Sequence, residues 1–279
     1  MKNILVLGGN GYLGSKIINN VLCADNVYCT IRKGEGPNLL NIRKNVSIIS
    51  DDLNEIKKVI ETGNVDVLIN TVCCYEREGT PLSSIISANL FFPLSVISYA
   101  IENGVGKIIT IDTSLPKNVN LYSLTKKTVS EIGEYYAKKN ASLVFYNVLL
   151  ENFYGKDEPQ NRFLHVVIDK LKKNEDIALT TGTQKRDFIY IEDVLSAFVV
   201  LLKHDDRGFQ NVPLGTGEGP TIREVVSYLR DLIKSDSYLN FGAIPSRDNE
   251  PDCIANIEYL AKFGFSIKYP YKLGMKEII

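Results

Sequence analysis

The sequence lacks the features that mark several large classes of protein. Its 32 Lys and Arg residues nearly balance its 33 Asp and Glu residues, which argues against a nucleic-acid-binding protein with a strongly basic surface. Its five cysteines show no CxxC or Cys/His spacing, so we expect no disulfide framework and no metal site, and interpret the thiols as apolar fillers or surface groups. The remaining composition, 44% hydrophobic and 23% charged, is typical of a folded globular chain.

Long apolar runs are also scarce. The longest, residues 194–202, spans nine positions and is interrupted by Ser196, which is about half of the roughly 18 residues that cross a membrane. The apolar segment 4–7 ends at Gly8 and is too short for the core of a secretory signal. The sequence therefore predicts no membrane segment and a cytoplasmic location.

In the first half of the chain, short β-branched runs alternate with segments of helical period. Strands are predicted at 3–7, 26–31, 46–50, 65–71, 107–112 and 142–150, and helices at 12–22, 55–62, 82–103 and 121–139. Apolar strands separated by helices indicate a parallel sheet covered on both faces. We therefore predict a Rossmann-like, doubly wound α/β fold.

The second half is less regular. A helix is predicted at 162–173, a strand at 188–191 and a helix at 194–203, and Thr221 and Glu224 have the spacing of a capping box. We expect a cofactor-binding domain at 1–150 and a smaller α/β substrate-binding lobe at 151–279. Segments around 188–212 are expected to return to the first domain.

A glycine-rich turn, GGNGYLG at 8–14, follows the first predicted strand and opens the first helix. In such turns the first glycine permits the tight turn, the second lets the backbone approach a pyrophosphate, and the third lets the helix pack on the strand. Because any glycine-rich strand–helix turn has this appearance, the motif alone is a weak signal. It predicts a cofactor site at the helix N-terminus that comprises Gly8, Gly11, Tyr12, Leu13 and Gly14.

The ends of the second and third predicted strands bear on the choice of cofactor. The second strand ends in CTIRK, with Arg32 and Lys33 adjacent and no acid. NADP enzymes use Arg here for the 2′-phosphate, whereas NAD enzymes use an acid for the ribose 2′-OH, so NADP(H) is predicted in preference to NAD. The alternative is a solvated basic turn. After the third strand, Asp52 and Leu53 suit an adenine contact, although Asp52 is equally suited to cap the next helix.

The segment YSLTK at 122–126 places Tyr122 and Lys126 on one face of a predicted helix. A free tyrosine titrates near pH 10, and we expect the ammonium of Lys126 to move the pKa of Tyr122 toward the working range. Tyr-x-x-x-Lys is common by chance on amphipathic helices. Thr113, however, closes the fifth strand at the sheet edge where ligands bind, and its hydroxyl suits the oxygen that exchanges a proton with Tyr122.

These motifs resemble the extended short-chain dehydrogenase/reductases that act on nucleotide sugars. The resemblance covers nearly the whole chain: Gly8, Gly11 and Gly14 match the cofactor turn, Thr113 the family's Ser/Thr, and Tyr122 and Lys126 its acid–base pair. It implies that Asn152 contacts substrate phosphate, that Arg186 contacts the diphosphate, and that Arg247 with Glu250 holds the diphosphate and the nucleoside ribose. His165 falls near a family histidine position, with a partly buried structural role as the alternative.

Local segments are most similar to those of CDP-paratose and CDP-abequose synthases, although Asn152 departs from the histidine of the paratose enzyme. This implies NADPH-dependent reduction of the C4 keto group of CDP-4-keto-3,6-dideoxyglucose, for the sugars of cell-surface polysaccharide such as O-antigen. Ser114 and Leu115 stand where dehydratases of the family carry an Asp-Glu pair, which disfavours dehydration.

Two other functions stay open: a nucleotide-sugar 4-epimerase with tightly bound NAD, and a non-catalytic NADP-sensing protein. The family usually dimerises through helices corresponding to 82–103 and 121–139, so we expect a homodimer. The apolar faces of these helices could equally pack on their own sheet.

Overall fold

The computed structural model describes residues 2–246 and 251–279. Eleven strands are found there: β1 Asn3–Leu7, β2 Asn26–Ile31, β3 Val46–Ser50, β4 Val67–Asn70, β5 Lys107–Thr113, β6 Val144–Leu150, β7 Asn152–Tyr154, β8 Ile177–Leu179, β9 Phe188–Tyr190, β10 Gly208–Leu214 and β11 Leu239–Phe241. Strands β7, β8 and β11 are not among the predicted elements, whereas β9, which is equally short, is.

The described residues also form ten α-helices, eight between strands and two after β11. They are α1 Tyr12–Asn20, α2 Leu53–Thr62, α3 Leu82–Ile86, α4 Phe92–Glu102, α5 Leu121–Lys139, α6 Phe163–Lys172, α7 Ile191–Lys203, α8 Ile222–Ile233, α9 Glu258–Ala261 and α10 Tyr271–Lys276. A π-helical turn at Ser87–Phe91 joins α3 to α4. The predicted capping box of α8 is confirmed, since Thr221 and Glu224 each accept a hydrogen bond from the other's backbone N–H.

The central sheet has seven strands in the order β10-β6-β5-β4-β1-β2-β3. Strand β1 pairs in parallel with both β2 and β4. The chain therefore reverses its winding direction at β1, and the carboxyl ends of β1 and β4 lie side by side at the point where open α/β sheets bind ligands. This confirms the predicted Rossmann-like fold.

The chain forms two compact units. The first consists of Met1–Leu149 and Phe198–Val212, and the second of Leu150–Ala197 and Pro213–Ile279. The second unit contains two small parallel sheets, β7 with β9 and β8 with β11. The separate roles expected for the two parts of the chain, cofactor binding and substrate binding, stay predictions.

Within the first unit, a core of apolar side chains lies between one face of the sheet and helices α2, α4 and α5. It includes Leu5, Leu68, Val96, Val129 and Phe145, all buried. Helix α5 approaches the sheet closely because it has glycine at position 133, where an added Cβ would lie 2.3 Å from the Phe145 ring. This close packing fixes the helix that carries Tyr122 and Lys126.

The continuous helix Leu82–Glu102 corrects one expectation. At 21 residues it is long and apolar enough to cross a membrane, whereas the sequence predicted no such segment, because serine and asparagine divide its apolar stretch into short runs. One side of the helix is buried against its own unit, with Ile85, Val96 and Ile97 nearly inaccessible. A core helix meets the same criterion of length and composition, so this finding is weak evidence for a membrane segment.

Candidate active site

The glycine-rich turn brings the N-terminus of α1 to the carboxyl end of β1. Gly8 has φ +76°, a conformation that favours glycine, and its N–H donates to Thr30 Oγ1 at 3.0 Å. A Cβ on Gly14 would lie 2.4 Å from Gly8 O, so only glycine lets the helix begin this close to the turn. The backbone conformation therefore explains the glycine at position 8, and close packing explains the glycine at position 14.

The start of α1 suits a dinucleotide phosphate. Gly11 is the N-cap residue and gives no side-chain cap, and the first turn of α1 contains no acid. The first backbone N–H groups of a helix have no partner within the helix and carry a partial positive charge, which favours an anion. The residues present therefore fit the pyrophosphate of NAD(P). Gly11, Tyr12 and Leu13 are the residues at the N-terminus of α1, where the phosphates would bind.

The turn after β2 is less cationic than its sequence indicates. Arg32 follows the last residue of β2, and its highly exposed guanidinium lies 3.6 Å from the Glu35 carboxylate. The backbone N–H of Lys33 donates to Asp51 Oδ1 at 3.1 Å. The end of β2 itself has no acidic residue. Asp51 nevertheless lies beside it, because β3 pairs with β2 and Asp51 follows β3.

Asp52 caps α2. Its Oδ1 accepts from the N–H groups of Asn54 at 2.8 Å and Glu55 at 3.3 Å. The structure thus shows the capping role that the sequence left as an alternative. An adenine contact by Asp52 and Leu53 stays a prediction.

Tyr122 and Lys126 lie in the first turns of α5, which begins after a capping box between Asn120 and Ser123. The buried Lys126 donates from Nζ to the carbonyl oxygen of Val72, the second residue after β4, at 2.7 Å. The hydroxyl of Thr113, at the end of β5, acts on Tyr122 by lowering its pKa through hydrogen bonding. The three residues that the sequence assigned to one site are thus placed together by α5, β4 and β5.

The expected direction of the Tyr122 pKa is wrong. Burial raises the pKa of Tyr122 well above 10, and the charges of Cys73, Tyr75 and Asp112 raise it further, while the hydrogen bond with Thr113 lowers it. The ammonium of Lys126 does not outweigh burial, since it is directed to the carbonyl of Val72. Tyr122 is therefore protonated at neutral pH, which is the state that a proton donor requires.

Thr113 is held by a buried carboxylate that the sequence analysis did not single out. Asp112 accepts from the N–H of Thr113 at 2.7 Å, from Asn147 Nδ2 at 2.9 Å and from Lys127 Nζ at 3.1 Å. Lys127 also donates to the carbonyl oxygen of Thr113 at 2.5 Å. The sequence signals for this arrangement are Asp112 near the end of β5 and Lys127, the second lysine of the pair 126–127.

Two adjacent cysteines, Cys73 and Cys74, follow β4. Cys73 lies three residues after β4. Burial raises the pKa of its thiol, and the Lys126 ammonium and the hydroxyls of Tyr75 and Tyr122 lower it. Its neighbour Cys74 is fixed through the backbone, since its N–H donates to Asn89 and its carbonyl accepts from Asn89, both at 2.8 Å. The expectation that all five cysteines are structural stays a prediction.

The predicted substrate residues lie in the second unit. Asn152, the first residue of β7, donates from Nδ2 to Asp187 O at 3.3 Å. Arg186 is buried, and its Nη1 donates to the carbonyl oxygens of Lys185 at 2.7 Å and Pro251 at 2.5 Å. Arg247 and Glu250 lie outside the described residues. The substrate contacts of all four stay predictions.

His165, on α6, faces a buried acid that the sequence analysis missed. Its Nε2 lies 3.6 Å from Glu158 Oε1, and Arg162 Nε lies 3.2 Å from Glu158 Oε2. Burial raises the pKa of Glu158 to about 7, against the lowering effect of Arg162. Because this pKa lies near neutral pH, we expect the stability of the folded second unit to depend on pH.

Comparison with known proteins decides the family. The model of the NAD dependent epimerase/dehydratase family matches residues 4–215, well over half of the chain. The chain belongs to this family. As a member it is an NAD(P)-dependent enzyme, and both the resemblance and the enzyme class predicted from the sequence are confirmed.

Curated relatives of this family member match over nearly its full length. It is 29% identical over 292 residues to the CDP-abequose synthase of Salmonella typhimurium strain LT2, covering 99% of this chain and 97% of the relative. The CDP-abequose synthase of Salmonella muenchen is 26% identical over 295 residues, covering 100% and 97%.

Solved structures of the family share the fold. UDP-glucuronic acid 4-epimerase from Bacillus cereus, in complex with UDP-glucuronic acid and NAD, superposes with a TM-score of 0.85 at 20% identity and covers 99% of this chain and 97% of its own. At this identity the likeness concerns the fold alone. It agrees with the Rossmann-like sheet described above.

Proposed function

We propose that this chain reduces the C4 keto group of a nucleotide-linked 4-keto-deoxyhexose, with CDP-4-keto-3,6-dideoxyglucose as substrate and NADPH as reductant. The observation that carries the proposal is the placement of a protonated Tyr122 against Thr113, with Lys126 fixed one helical turn away. A site with these groups can orient a carbonyl oxygen and give it a proton.

In this mechanism, the hydroxyls of Thr113 and Tyr122 donate hydrogen bonds to the C4 carbonyl oxygen of the substrate. Bound NADPH would supply the hydride for C4. Tyr122 transfers its proton to the oxygen as negative charge develops there, and the nearby ammonium of Lys126 stabilises that charge. We assign the diphosphate to Asn152, Arg186 and Arg247, and the nucleoside ribose to Arg247 with Glu250.

Reduction is favoured over dehydration by the residues that follow Thr113. Ser114 and Leu115 occupy the two next positions, and neither has a carboxylate that could protonate a leaving hydroxyl or abstract a carbon-bound proton. Tyr122 can act as the acid for reduction of a ketone, which needs no such pair of carboxylates.

The choice of CDP rests on the curated relatives, which are CDP-abequose synthases matched over almost their full length. A product of this kind is a dideoxyhexose donor for cell-surface polysaccharide. We place its synthesis in the cytoplasm.

A 4-epimerase with tightly bound NAD is the second candidate. The observation in its favour is the pair of carboxylates, Glu35 and Asp51, beside the end of β2, since NAD enzymes use an acid there. Arg32, which is directly after the strand, favours the 2′-phosphate of NADP(H) and hence the reductase. The two candidates differ in whether the cofactor leaves in each turnover.

The predicted homodimer has support from helices α3 to α5. Leu82, Phe91 and Leu124 are large apolar residues there that are between 38% and 63% exposed. All three lie on the segments to which the resemblance assigns the dimer contact. We propose that a second copy of the chain covers them, which sedimentation of the wild type and of Phe91→Asp would test.

The proposed function is tested by a substrate panel. NADPH absorbance is followed with CDP-4-keto-3,6-dideoxyglucose beside 4-keto-6-deoxy sugars on CDP, dTDP and GDP. Stoichiometric oxidation with the CDP-dideoxy sugar supports the proposal, and oxidation with another sugar alone changes the assigned nucleotide. Interconversion of 4-hydroxy sugars by protein that retains NAD would show the epimerase. If neither reaction occurs and the protein binds NADP, the non-catalytic function is supported.

A further inference from the structure

Asn10, in the middle of the glycine-rich turn, binds a segment that lies much later in the chain. Its Nδ2 donates to the carbonyl oxygen of Gly36 at 3.0 Å, and its Oδ1 accepts from the N–H of Leu39 at 3.3 Å. Gly36 and Leu39 belong to residues 32–45, which connect β2 to β3 and which we call the β2 loop. One carboxamide thus uses its donor and its acceptor to join the turn that suits the pyrophosphate to this loop.

A second asparagine holds the same loop to α1. Asn19 Nδ2 donates to the carbonyl oxygen of Leu39 at 2.9 Å, and Asn19 Oδ1 accepts from the N–H of Asn41 at 2.9 Å. Further along, Arg43 Nη2 donates to the carbonyl oxygen of Ile18 at 2.6 Å. The β2 loop, all of which the structure describes, contains no helix or strand. These contacts between side chains and backbone therefore help to fix its path over α1.

Arg32 lies at the start of the β2 loop, in a tight turn with Glu35. The N–H of Glu35 donates to the carbonyl oxygen of Arg32 at 3.0 Å. Within this turn, Lys33 is held through its N–H by the carboxylate that follows β3. Directly after the turn, Gly36 is held by Asn10. The backbone that carries Arg32 thus lies between two fixed points and is ordered before a ligand binds.

The chemistry of the Asn10 side chain suits this contact. A carboxamide has a donor and an acceptor in one plane and carries no charge. A carboxylate in its place would lack the donor for Gly36 and would add negative charge to a turn expected to bind phosphate. A smaller side chain would leave the N–H of Leu39 without this acceptor. Asparagine therefore holds the loop and keeps the turn suited to an anion.

We propose that Asn10 is a positioning residue for cofactor selection, which holds the β2 loop so that Arg32 is presented to the 2′-phosphate of the adenosine. The proposal rests on the proposed use of NADPH. The guanidinium of Arg32 is 70% exposed and is free to turn from Glu35 to a phosphate, with which it can form bidentate hydrogen bonds. Because the backbone beneath it is already ordered, less conformational freedom is lost on binding.

Binding of two nucleotides isolates the contribution of the 2′-phosphate. Adenosine 2′,5′-bisphosphate and 5′-AMP share the adenosine and the 5′-phosphate, so an effect of the substitution on the glycine-rich turn itself changes both alike. In Asn10→Ala, calorimetry is expected to show the Kd for the bisphosphate raised about fivefold, the cost of ordering a loosened side chain, and the Kd for 5′-AMP within about twofold of wild type. Equal changes for the two nucleotides would overturn the proposal.

Two other asparagines of α1 provide comparisons. Asn20→Ala is the matched control and should change neither Kd, since Asn20 is exposed and donates within its own helix, to the carbonyl oxygen of Lys16 at 2.8 Å. Asn19→Ala loosens the β2 loop farther from Arg32, so it should raise the Kd for the bisphosphate less than Asn10→Ala does. An equal increase in Asn19→Ala would contradict a specific role of Asn10.

Hydrogen exchange of the free protein requires neither ligand nor turnover. The amide of Leu39 is expected to exchange about tenfold faster in Asn10→Ala than in wild type, because it loses its acceptor. Amides of β4 should keep their protection, which shows that the variant is folded. Unchanged exchange at Leu39 would refute the clamp itself. A wild type that binds the bisphosphate no more tightly than 5′-AMP would instead refute the proposed use of NADPH, and this is seen before any variant is compared.

Discussion

The amine of Lys126 and the carbonyl of Val72 lie 2.7 Å apart and form a hydrogen bond. This contact joins α5 to the segment that follows β4, and Lys126 is only 4% exposed. A lysine held this way loses little conformational freedom when ligands bind. Lys126 is thus fixed one helical turn from Tyr122 without any ligand, which agrees with a site that is organised before the substrate arrives.

Tyr122→Phe removes the hydroxyl that we propose as the proton donor. We expect kcat to fall by about 10³-fold, with the dissociation constant for NADPH, measured by fluorescence titration, within about twofold of wild type. Tyr135→Phe is the matched control, because Tyr135 is an exposed tyrosine of the same helix. Unchanged turnover in Tyr122→Phe would reject Tyr122 as proton donor.

Lys127→Met leaves Asp112 buried without its cation. Breaking a buried ion pair is costly, so we expect the free energy of unfolding in urea to fall by about 2 kcal/mol or more. We also expect kcat to fall about tenfold, since Asp112 orients Thr113 and a misplaced group slows catalysis. Lys138→Met, which removes an exposed pair with Glu134, should change neither. Equal effects of the two substitutions would show that Asp112 does not position Thr113.

The pairing of Arg32 with Glu35 predicts opposite effects of two substitutions on NADPH. Arg32→Ala should raise the KM for NADPH more than the KM for NADH, because only NADPH has the 2′-phosphate. Glu35→Gln should lower the KM for NADPH, since it releases the guanidinium from a competing carboxylate. The measurement is initial-rate kinetics with both cofactors. Equal changes for NADPH and NADH would remove Arg32 from cofactor selection.

Glu158 makes stability depend on pH. Its pKa is raised from 4.5 to about 7 in the folded chain. Between these values the folded state holds a proton that the unfolded state has lost, so this contribution to stability is lost as pH rises through 7. Glu158→Gln should reduce the loss of unfolding free energy between pH 5 and 8 by about 2 to 3 kcal/mol. Denaturant unfolding at several pH values measures it.

A second variant makes this assignment specific. Arg162 lowers the pKa of Glu158, so Arg162→Met should shift the loss of stability to higher pH. If wild type and Glu158→Gln have the same pH profile, Glu158 is not the group responsible.

Much of the fold could be predicted because its signals are local. The bounds of β1, β2, β3 and α5 in the structure are those predicted. The patterns that predict them, namely the run of apolar strand residues, the helix cap and the apolar face of the helix, each depend on a few consecutive residues. The capping box of Thr221 and Glu224 is local in the same sense. The boundary errors occur where tertiary contacts decide, as at β4, which begins two residues later than predicted.

The site was less predictable because its decisive contacts join distant segments. Tyr122 and Lys126 could be placed on one helix face from their spacing. The contact of Lys126 with Val72 depends on how the end of β4 meets α5, and the approach of Asp51 to Lys33 depends on the pairing of β2 with β3. The same long-range burial reversed the expected pKa of Tyr122, because spacing alone carries no information on solvent exposure.

The most direct test of the proposed function is the fate of the cofactor's hydrogen. The protein is given NADPH deuterated at both C4 positions of the nicotinamide, with CDP-4-keto-3,6-dideoxyglucose, and the product is analysed by NMR. The account predicts one deuterium per product molecule, bonded to C4 of the sugar, with one NADP released for each. Product without deuterium, formed while the protein retains its own NAD, would contradict it.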